Sequence, residues 1–213
     1  MSRCKIALIG EVSSGKTTLG NYLRTNQFVE ESCTVGVAFH SFKLDDKNFE
    51  IWDTSGQEKF SSLTTVYYRN ASIILLVFDA NNIRFEDKLK YYLDETKLKV
   101  ESSKNYRIII ICNKIDLVSE TQLANLKKRI DKIIIETNSS ECVAGYFEIS
   151  CKKKIGRNDL LSKIIEIRSE QIGIETEYSI FDKKNKDQYR NVIVLDYNEE
   201  TKKSSTSSCC FIS

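Results

Sequence analysis

Residues 10–17 have the types and spacing of a phosphate-binding loop. They read G-x-x-x-x-G-K-T, directly after an apolar strand-like run and before residues at helical spacing. Two glycines let the backbone curl so that several N–H groups and a helix N-terminus point at one anion. Lys16 would reach the β- and γ-phosphates, and the Thr17 hydroxyl would bind Mg²⁺. The alternative is a Gly/Ser-rich turn before an ordinary helix. The predicted contacts are Gly10, Glu11, Val12, Ser13, Ser14, Gly15, Lys16, Thr17 and Thr18.

Two later motifs indicate that the base of the nucleotide is guanine. Asn113–Asp116 follow an apolar run, and a carboxylate there can accept from both the ring N–H and the exocyclic amine of guanine. Adenine presents the opposite pattern and would leave buried polar groups unpaired. At Ser150–Lys152, the N–H of Cys151 could reach the guanine carbonyl oxygen. The stems of Lys114 and Lys152 could sandwich the ring. The predicted base contacts are Asn113, Lys114, Asp116, Ser150, Cys151 and Lys152.

The middle of the chain reads W-D-T-S-G-Q-E at residues 52–58, and there it resembles the Ras superfamily of small GTPases. Residues 52–58 match its W-D-T-A-G-Q-E segment except for Ser55. Within the superfamily the chain looks like a Rab protein, and the resemblance covers residues 4 to about 172. Glu11 and the stretches around 31–34 and 44–46 resemble the early-endosomal Rab subgroup. The Rab-like segments are Val35–Phe39, Phe49–Trp52, Lys59–Thr64, Tyr67–Ala71 and Val77–Asn81.

The resemblance implies roles for further residues. Asp53 would hold Mg²⁺ through a water, and Thr34 would close over Mg²⁺ and the γ-phosphate in the GTP state. Gln57 would orient the attacking water, and Gly56 would donate its N–H to the γ-phosphate. Phe28 would lie against the guanine ring. Phosphoryl transfer of this kind needs mostly positioning and charge neutralisation. The implied catalytic residues are Lys16, Gly56 and Gln57.

The resemblance also implies a regulated cycle between GTP and GDP forms. No Arg lies in the phosphate loop, so we expect slow hydrolysis that needs an arginine from an activating protein. Other implied partners are an exchange factor, an escort protein, a GDP-dissociation inhibitor and effectors. The effectors would bind switch regions at roughly 28–40 and 54–70, whose order would follow the γ-phosphate. The protein itself is expected to be a monomer.

Val12 departs from the family pattern and leaves other functions open. Ras proteins carry Gly at this position and many Rabs carry Ser. A β-branched side chain is stiff and bulky, and it could crowd Gln57 or an incoming arginine. One alternative is therefore a hydrolysis-impaired, GTP-locked module that binds effectors. Another is a Ras- or Rho-like signalling GTPase. A kinase or ATPase is disfavoured by the Asn113–Asp116 motif.

Composition is consistent with a cytosolic globular domain. The chain has 213 residues and a formal net charge of +2, so no strongly basic field indicates nucleic-acid binding. Its seven cysteines lack the pair spacing and His partners of a zinc site, and we interpret them as reduced thiols. His40 is the only histidine, and a surface or packing role is expected. The longest apolar run, 73–78, is too short to span a bilayer.

The elements that must position these motifs alternate along the chain. Strands are predicted at 4–10, 36–44, 48–53, 72–79, 107–113 and 145–150. Helices are predicted at 15–25, about 62–69, 84–101, 120–137 and 158–172, with apolar residues on one face. Continuous β-branched runs indicate burial on both faces. The fold class is therefore a doubly wound, mostly parallel six-stranded α/β sheet with helices on both faces and ligands at the carboxyl ends of its strands. The polar stretch 136–144 is expected to be a surface insertion.

The composition changes at residue 173, so we predict a GTPase domain at 1–172 and a flexible tail at 173–213. The ending C-C-F-I-S fits prenylation, and we expect two geranylgeranyl groups on Cys209 and Cys210, although a terminal Ser is more often associated with farnesyl. Two chains would anchor the protein stably. We therefore expect it on the cytoplasmic face of vesicle or endosomal membranes, cycling with the cytosol. The apolar segment 192–195 either folds back on the domain or resembles the tail segment that docks on the escort protein.

Overall fold

The computed structural model describes residues 3–30, 37–54, 68–100, 106–173 and 193–195. These residues form a seven-stranded sheet flanked by four α-helices. In chain order the elements are β1 (Cys4–Ile9), α1 (Lys16–Thr25), β2 (Val37–Leu44), β3 (Lys47–Thr54), β4 (Ile73–Asp79), α2 (Phe85–Lys99), β5 (Arg107–Asn113), α3 (Glu120–Glu136), β6 (Val143–Ile149), α4 (Arg157–Gln171) and β7 (Ile193–Leu195).

The sheet has the strand order β6-β5-β4-β1-β3-β2-β7. Neighbouring strands from β6 to β3 are parallel, whereas β2 is antiparallel to β3 and β7 is antiparallel to β2. The predicted doubly wound α/β class and its six strands are confirmed. The seventh strand comes from the apolar tail segment, so of the two interpretations of that segment the structure has the one in which it folds back on the domain.

The core lies on both faces of the sheet because successive residues of each central strand point to opposite sides. Ile109 and Ile111 of β5 pack on one side with α1 and α4. Ile108 and Ile110 pack on the other side with α2 and α3. Burial on both faces explains why β5 is a continuous β-branched run rather than an alternating one.

Side chains satisfy backbone groups at the start of α3 and at the end of α1. Ser119 accepts a hydrogen bond from the backbone of Gln122, and the Gln122 side chain accepts one from the Ser119 N–H, which together form a capping box at the start of α3. At the start of α4, the buried Arg157 guanidinium donates to the carbonyls of Tyr22 and Leu23 in the last turn of α1. This contact ties α4 to the C-terminal end of α1.

Two expectations outside the core need comment. The stretch 136–144, expected to be a surface insertion, contains a six-residue connection between α3 and β6, and all of its residues except Ser139 are exposed or partly exposed. Its Ser139 is fully buried, and the Ser139 carbonyl accepts from the N–H groups of Cys142 and Val143, so the connection is a tight turn. Residues 62–67 of the helix predicted at about 62–69 lie outside the described residues. No helix in the described ranges is both long and apolar enough to cross a bilayer.

Candidate nucleotide-binding site

The loop between β1 and α1 depends on two glycines. Gly10 has φ 148° and Gly15 has φ 89°, which are conformations that other residues rarely adopt. A Cβ on Gly10 would lie 2.0 Å from the carbonyl oxygen of Val77, and a Cβ on Gly15 would lie 2.4 Å from the Asn113 amide nitrogen. The chain therefore turns tightly against β4 and β5 only because both side chains are absent.

The loop ends at a helix N-terminus that carries a cation. Lys16 is buried, and its ammonium donates to the carbonyls of Gly10 at 2.9 Å and Glu11 at 2.7 Å. α1 has no acidic residue in its first turn, so no carboxylate there opposes the positive end of its dipole. The glycine turn, the ammonium and the helix N-terminus together suit a phosphate group.

A hard-cation site would lie beside this loop. Asp53 is 1 % exposed and pairs in parallel register with Leu8, two residues before Gly10. Thr54 donates its hydroxyl hydrogen to the Leu8 carbonyl, which fixes the end of β3 against β1. The half-buried Thr17 supplies a hydroxyl at the start of α1. Hydroxyl and carboxylate oxygens are the ligands that Mg²⁺ takes in proteins, so the donor set fits this ion.

Two side chains at and just after the end of β5 connect the loop to the next motif. The Asn113 amide donates to the Ser14 carbonyl at 2.9 Å. Lys114 donates to the Ser13 carbonyl at 2.7 Å and pairs with Asp79, which ends β4, at 2.8 Å. These contacts join the predicted phosphate loop to the predicted base-binding motif, about 100 residues later in the chain.

The two base-binding motifs are also joined to each other. The Ser150 hydroxyl donates to the Asp116 carboxylate at 2.5 Å and accepts from the Lys153 N–H at 3.1 Å, so it orients the carboxylate. Cys151 is buried with its sulfur 3.8 Å from the side-chain amide oxygen (Oδ1) of Asn113. Burial raises the pKa of the Cys151 thiol to about 12, so the thiol stays neutral at physiological pH.

A cavity of about 450 Å³ lies between these segments. It is open enough at one side that Phe28 remains 39 % exposed. Residues from four separated stretches of the chain line it: Ser13, Gly15, Thr18, Phe28, Glu30, Asn113, Lys114, Asp116, Leu117, Cys151 and Lys152.

The structure thus brings together the predicted phosphate-loop and base-binding residues and Phe28. Thr34, Gly56, Gln57, Cys209 and Cys210 lie outside the described residues. The sequence analysis did not identify several supporting residues. Asp79 pairs with Lys114, and Asn82 donates to the Glu11 carboxylate at 2.6 Å. Their position at and just after the end of β4 was the available signal, since ligands of such sheets gather at carboxyl ends.

Comparisons with known proteins agree with this geometry. The model of the Ras family matches residues 5–170. The GTP-binding protein yptV5 of Volvox carteri is 35% identical over 158 residues, which cover 71% of this chain and 75% of that protein. The Ras-related protein Rab5A of Oryza sativa subsp. japonica is 32% identical over 165 residues, which cover 75% of this chain and 77% of that protein.

A third relative matches over a shorter stretch. The Ras-related protein Rab-5B of Plasmodium falciparum is 37% identical over 122 residues, so the match spans 54% of this chain and 58% of that protein. The matched residues of the family model include the whole site described above. The chain therefore belongs to the Ras family, and within that family it is a Rab-like small GTPase.

Proposed function

We propose that the cavity binds GTP and GDP with Mg²⁺ and that the protein is a membrane-attached, Rab-type switch in vesicle trafficking. The observation that carries this proposal is the link between the phosphate loop and the base-binding motifs through Asn113 and Lys114. One ligand that spans both ends, with phosphates at one side and a base at the other, matches this arrangement.

At the phosphate end, the loop N–H groups and Lys16 bind the β- and γ-phosphates. Thr17, and Asp53 through a water, hold Mg²⁺, which when bound neutralises charge on the phosphate oxygens. The buried position of Lys16 supports this role, because an ammonium in a site of low dielectric interacts strongly with an anion.

At the base end, Asp116 accepts hydrogen bonds from the ring N–H and the exocyclic amine of guanine. Ser150 supports this role because its hydroxyl donates to the carboxylate and orients it. Cys151 donates its backbone N–H to the guanine carbonyl oxygen, while Phe28 and the stems of Lys114 and Lys152 pack against the ring. Adenine presents a donor where guanine presents an acceptor, so it leaves buried groups unpaired.

For hydrolysis, we assign Gln57 to orient the attacking water and Gly56 to donate its N–H to the γ-phosphate. Thr34 would close over Mg²⁺ and the γ-phosphate in the GTP-bound state. These assignments rest on the family pattern, since the three residues lie outside the described part of the chain. Turnover is slow until an activating protein supplies an arginine. The full cycle uses an exchange factor, a GDP-dissociation inhibitor, an escort protein and effectors.

For location, we assign prenyl groups to Cys209 and Cys210 and an endosomal membrane as the working site. The Rab5-type names of the relatives support the endosomal part. The paired-cysteine ending supports the lipid part, because two chains anchor stably whereas one anchors marginally. Mass spectrometry of the protein from cells would show two modified cysteines, and a single farnesyl would contradict this part of the proposal.

One observation favours a second candidate, a GTP-biased effector platform. Val12 is 46 % exposed in the phosphate loop, so its stiff side chain lies at the surface that an activating protein approaches. Single-turnover GTP hydrolysis by the full chain separates the candidates. The timed switch predicts acceleration by a Rab-activating domain and loss of that acceleration in Gln57→Leu. The GTP-biased platform predicts acceleration only in Val12→Ser.

Base selectivity tests the site itself. We expect Asp116→Asn to lower the affinity for GDP by about 10³-fold, because the amide places a donor against the donors of guanine. The same variant should gain affinity for xanthosine diphosphate, whose carbonyl replaces the amine. Displacement of a fluorescent GDP analogue by GDP, ADP and xanthosine diphosphate measures all three. Equal displacement by ADP and GDP in the wild type would overturn the guanine assignment.

A further inference from the structure

An acidic side chain at the end of β4 lies beside a site that is suited to an anion. Asp79 is the last residue of β4, and its partner in the parallel register with β5 is Asn113. Lys114 follows Asn113 directly, and its ammonium lies 2.8 Å from the Asp79 carboxylate. A carboxylate near a bound anion repels it, so the presence of Asp79 here calls for a reason other than ligand contact.

The Asp79 carboxylate is oriented by its own strand end. One of its oxygens accepts from the Asn81 N–H at 2.9 Å, and the other pairs with the Lys114 ammonium. The Asp79 carbonyl accepts from the Asn82 N–H at 3.0 Å, so the chain turns at this point. Both carboxylate oxygens therefore have a donor, and the turn fixes the direction of the carboxylate toward Lys114.

The Lys114 ammonium has a second acceptor in the phosphate loop. It donates to the Ser13 carbonyl at 2.7 Å. A lysine side chain has many rotamers, and two acceptors on different elements restrict them to few. The side chains of Lys114 and Asp79 are only 34% and 25% exposed, so solvent screens this pair less than a pair at the open surface. Asp79 is thus connected to the phosphate loop through one lysine.

The two residues that this hydrogen bond joins both have a left-handed backbone. φ is 64° at Ser13 and 61° at Lys114. Most of the other described non-glycine residues with positive φ are asparagine or aspartate, which tolerate this region better than serine or lysine. Strained conformations persist only where the surrounding structure holds them, and they cluster at ligand sites. The contacts of Lys114 therefore hold a strained part of the loop in place.

The hydrogen bond to Ser13 also fixes a backbone donor. The peptide bond is planar, so holding the Ser13 carbonyl sets the direction of the Ser14 N–H in the same peptide. That N–H donates to the Glu11 carbonyl at 3.3 Å, within the loop whose N–H groups are proposed to bind phosphate. A change at Asp79 should therefore alter the loop, although Asp79 is not part of it.

We propose that Asp79 is a positioning residue for nucleotide binding. Through Lys114 it holds the Ser13–Ser14 peptide on one side and, on the other, the lysine stem that packs against the guanine ring. It thereby slows nucleotide release without touching the ligand. The assignment rests on the proposed function, because it takes the cavity to be a nucleotide site.

The sign of the effect separates positioning from charge. If Asp79 acted only through its charge, its removal would relieve repulsion of the phosphates, and GDP would dissociate more slowly or at the same rate. If Asp79 positions Lys114, its removal frees the lysine and the loop, and GDP dissociates faster. Asp79→Asn is suited to this comparison because the amide has nearly the shape of the carboxylate, and its oxygen can still accept from the Asn81 N–H.

Dissociation of a fluorescent GDP analogue from the full-length protein, chased with excess GDP at fixed Mg²⁺, measures the effect. We expect Asp79→Asn to speed dissociation about 3- to 10-fold, because a charge-assisted hydrogen bond in a partly buried pair is lost. Asp79→Glu keeps the carboxylate and should remain within about twofold of the wild type. Glu86→Gln removes a carboxylate that pairs with Arg129 between α2 and α3, and it is the matched control with no expected change.

A double-mutant cycle with Lys114→Met tests whether Asp79 acts through the lysine. Without the ammonium, Asp79→Asn should change the dissociation rate by less than about 1.5-fold. An equal acceleration in both backgrounds would overturn the assignment. Slower or unchanged dissociation in Asp79→Asn alone would also overturn it, as would dissociation from Asp79→Glu as fast as from Asp79→Asn.

A second readout does not use nucleotide. Hydrogen exchange of the Ser14 N–H in the nucleotide-free protein should be faster in Asp79→Asn than in the wild type and in Glu86→Gln. Equal exchange in the three proteins would overturn the positioning role. A wild type that fails to bind GDP would instead contradict the proposed function, and the exchange result would still decide whether Asp79 holds the loop, so the two failures are distinguishable.

Discussion

The two ends of helix α1 have opposite designs. At its N-terminus, Gly15 makes no side-chain capping bond, and the first turn has no acidic residue. Asn113 and Lys114 donate to carbonyls of the preceding loop instead. At its C-terminus, the Tyr22 carbonyl accepts from the Asn26 N–H and from Arg157, and Arg157 also donates to the Leu23 carbonyl. One end is built for an anion and the other is closed by the protein.

Because of this difference, nucleotide affinity depends on one end of the helix and the stability of the folded protein depends on the other. Uncapped N–H groups and a nearby ammonium stabilise an anion but contribute little to the folded protein alone. The closed end satisfies carbonyls that would otherwise lie buried without donors. Substitutions at the N-terminal end should therefore change nucleotide binding, and substitutions at the C-terminal end should change the free energy of unfolding.

The largest expected effect is that of Lys16→Ala on nucleotide affinity. Hydrogen bonds to charged groups contribute about 1.5–3 kcal/mol each, so losing the ammonium should weaken GDP binding by roughly 10²- to 10³-fold. Fluorescent GDP titration measures the change. Lys163→Ala, which removes a lysine from the outer part of α4, is the control and should leave affinity unchanged. A change below threefold in Lys16→Ala would show that the open end does not bind the phosphates.

The next largest effect is that of Arg157→Met on stability. The substitution leaves the Leu23 carbonyl without its buried donor and the Tyr22 carbonyl with only the Asn26 N–H, so the free energy of unfolding should fall by about 2 kcal/mol. Urea unfolding with the nucleotide at a fixed concentration measures it. Lys163→Met removes a partly exposed i,i+3 pair on the same helix and should cost less than about 0.5 kcal/mol. Selective loss of GDP affinity, without loss of stability, would contradict the division between the two ends.

The N-terminal end of α1, the open end that follows Gly15, could be predicted from sequence. The C-terminal end, which Arg157 closes, could not. The G-x-x-x-x-G-K-T spacing specifies a local backbone shape, and the strand before it fixes its position in the sheet. Arg157 donates to carbonyls 134 and 135 residues away, and carbonyls carry no residue-type signal. The role of Arg157 could therefore not be predicted from the sequence, although the bounds of α4, which carries it, were predicted within one residue at each end.

Two other differences have the same physical origin. The stretch 136–144 is exposed or partly exposed as expected, except for Ser139, which is buried where its carbonyl closes a turn with the N–H groups of Cys142 and Val143. The segment Ile193–Leu195 has β-branched residues that favour a strand, yet only the edge position of β2 determines where it pairs. Backbone partners decided both cases, close in sequence for the turn and distant for the strand, and residue composition does not specify them.

A smaller effect is expected at Ser14, inside the loop of the open end. Its hydroxyl is buried and has no hydrogen-bond partner among the described residues. Ser14→Ala should therefore raise the free energy of unfolding by about 1 kcal/mol. Ser169→Ala is the matched control, because that buried hydroxyl donates to the Ile165 carbonyl at 2.8 Å and its removal should lower stability by about 1 kcal/mol. Thermal unfolding of both variants gives the comparison, and destabilisation of Ser14→Ala would show that its hydroxyl is satisfied.

The smallest expected effect is the contribution of Cys151 to the pH dependence of the free energy of unfolding. Burial raises the pKa of its thiol from 9.0 to about 12, so above pH 9 the folded protein binds more protons than the unfolded chain. The stabilising contribution is complete below pH 9 and is lost as the pH rises toward 12. Between pH 7 and pH 9.5, the loss should be about 0.8 kcal/mol. The buried Cys112 titrates in the same direction, so only a difference between variants isolates Cys151. Urea unfolding of wild type and Cys151→Ala at both pH values should show the flatter profile in the variant, and parallel profiles would mean that the thiol ionises equally well in the folded protein.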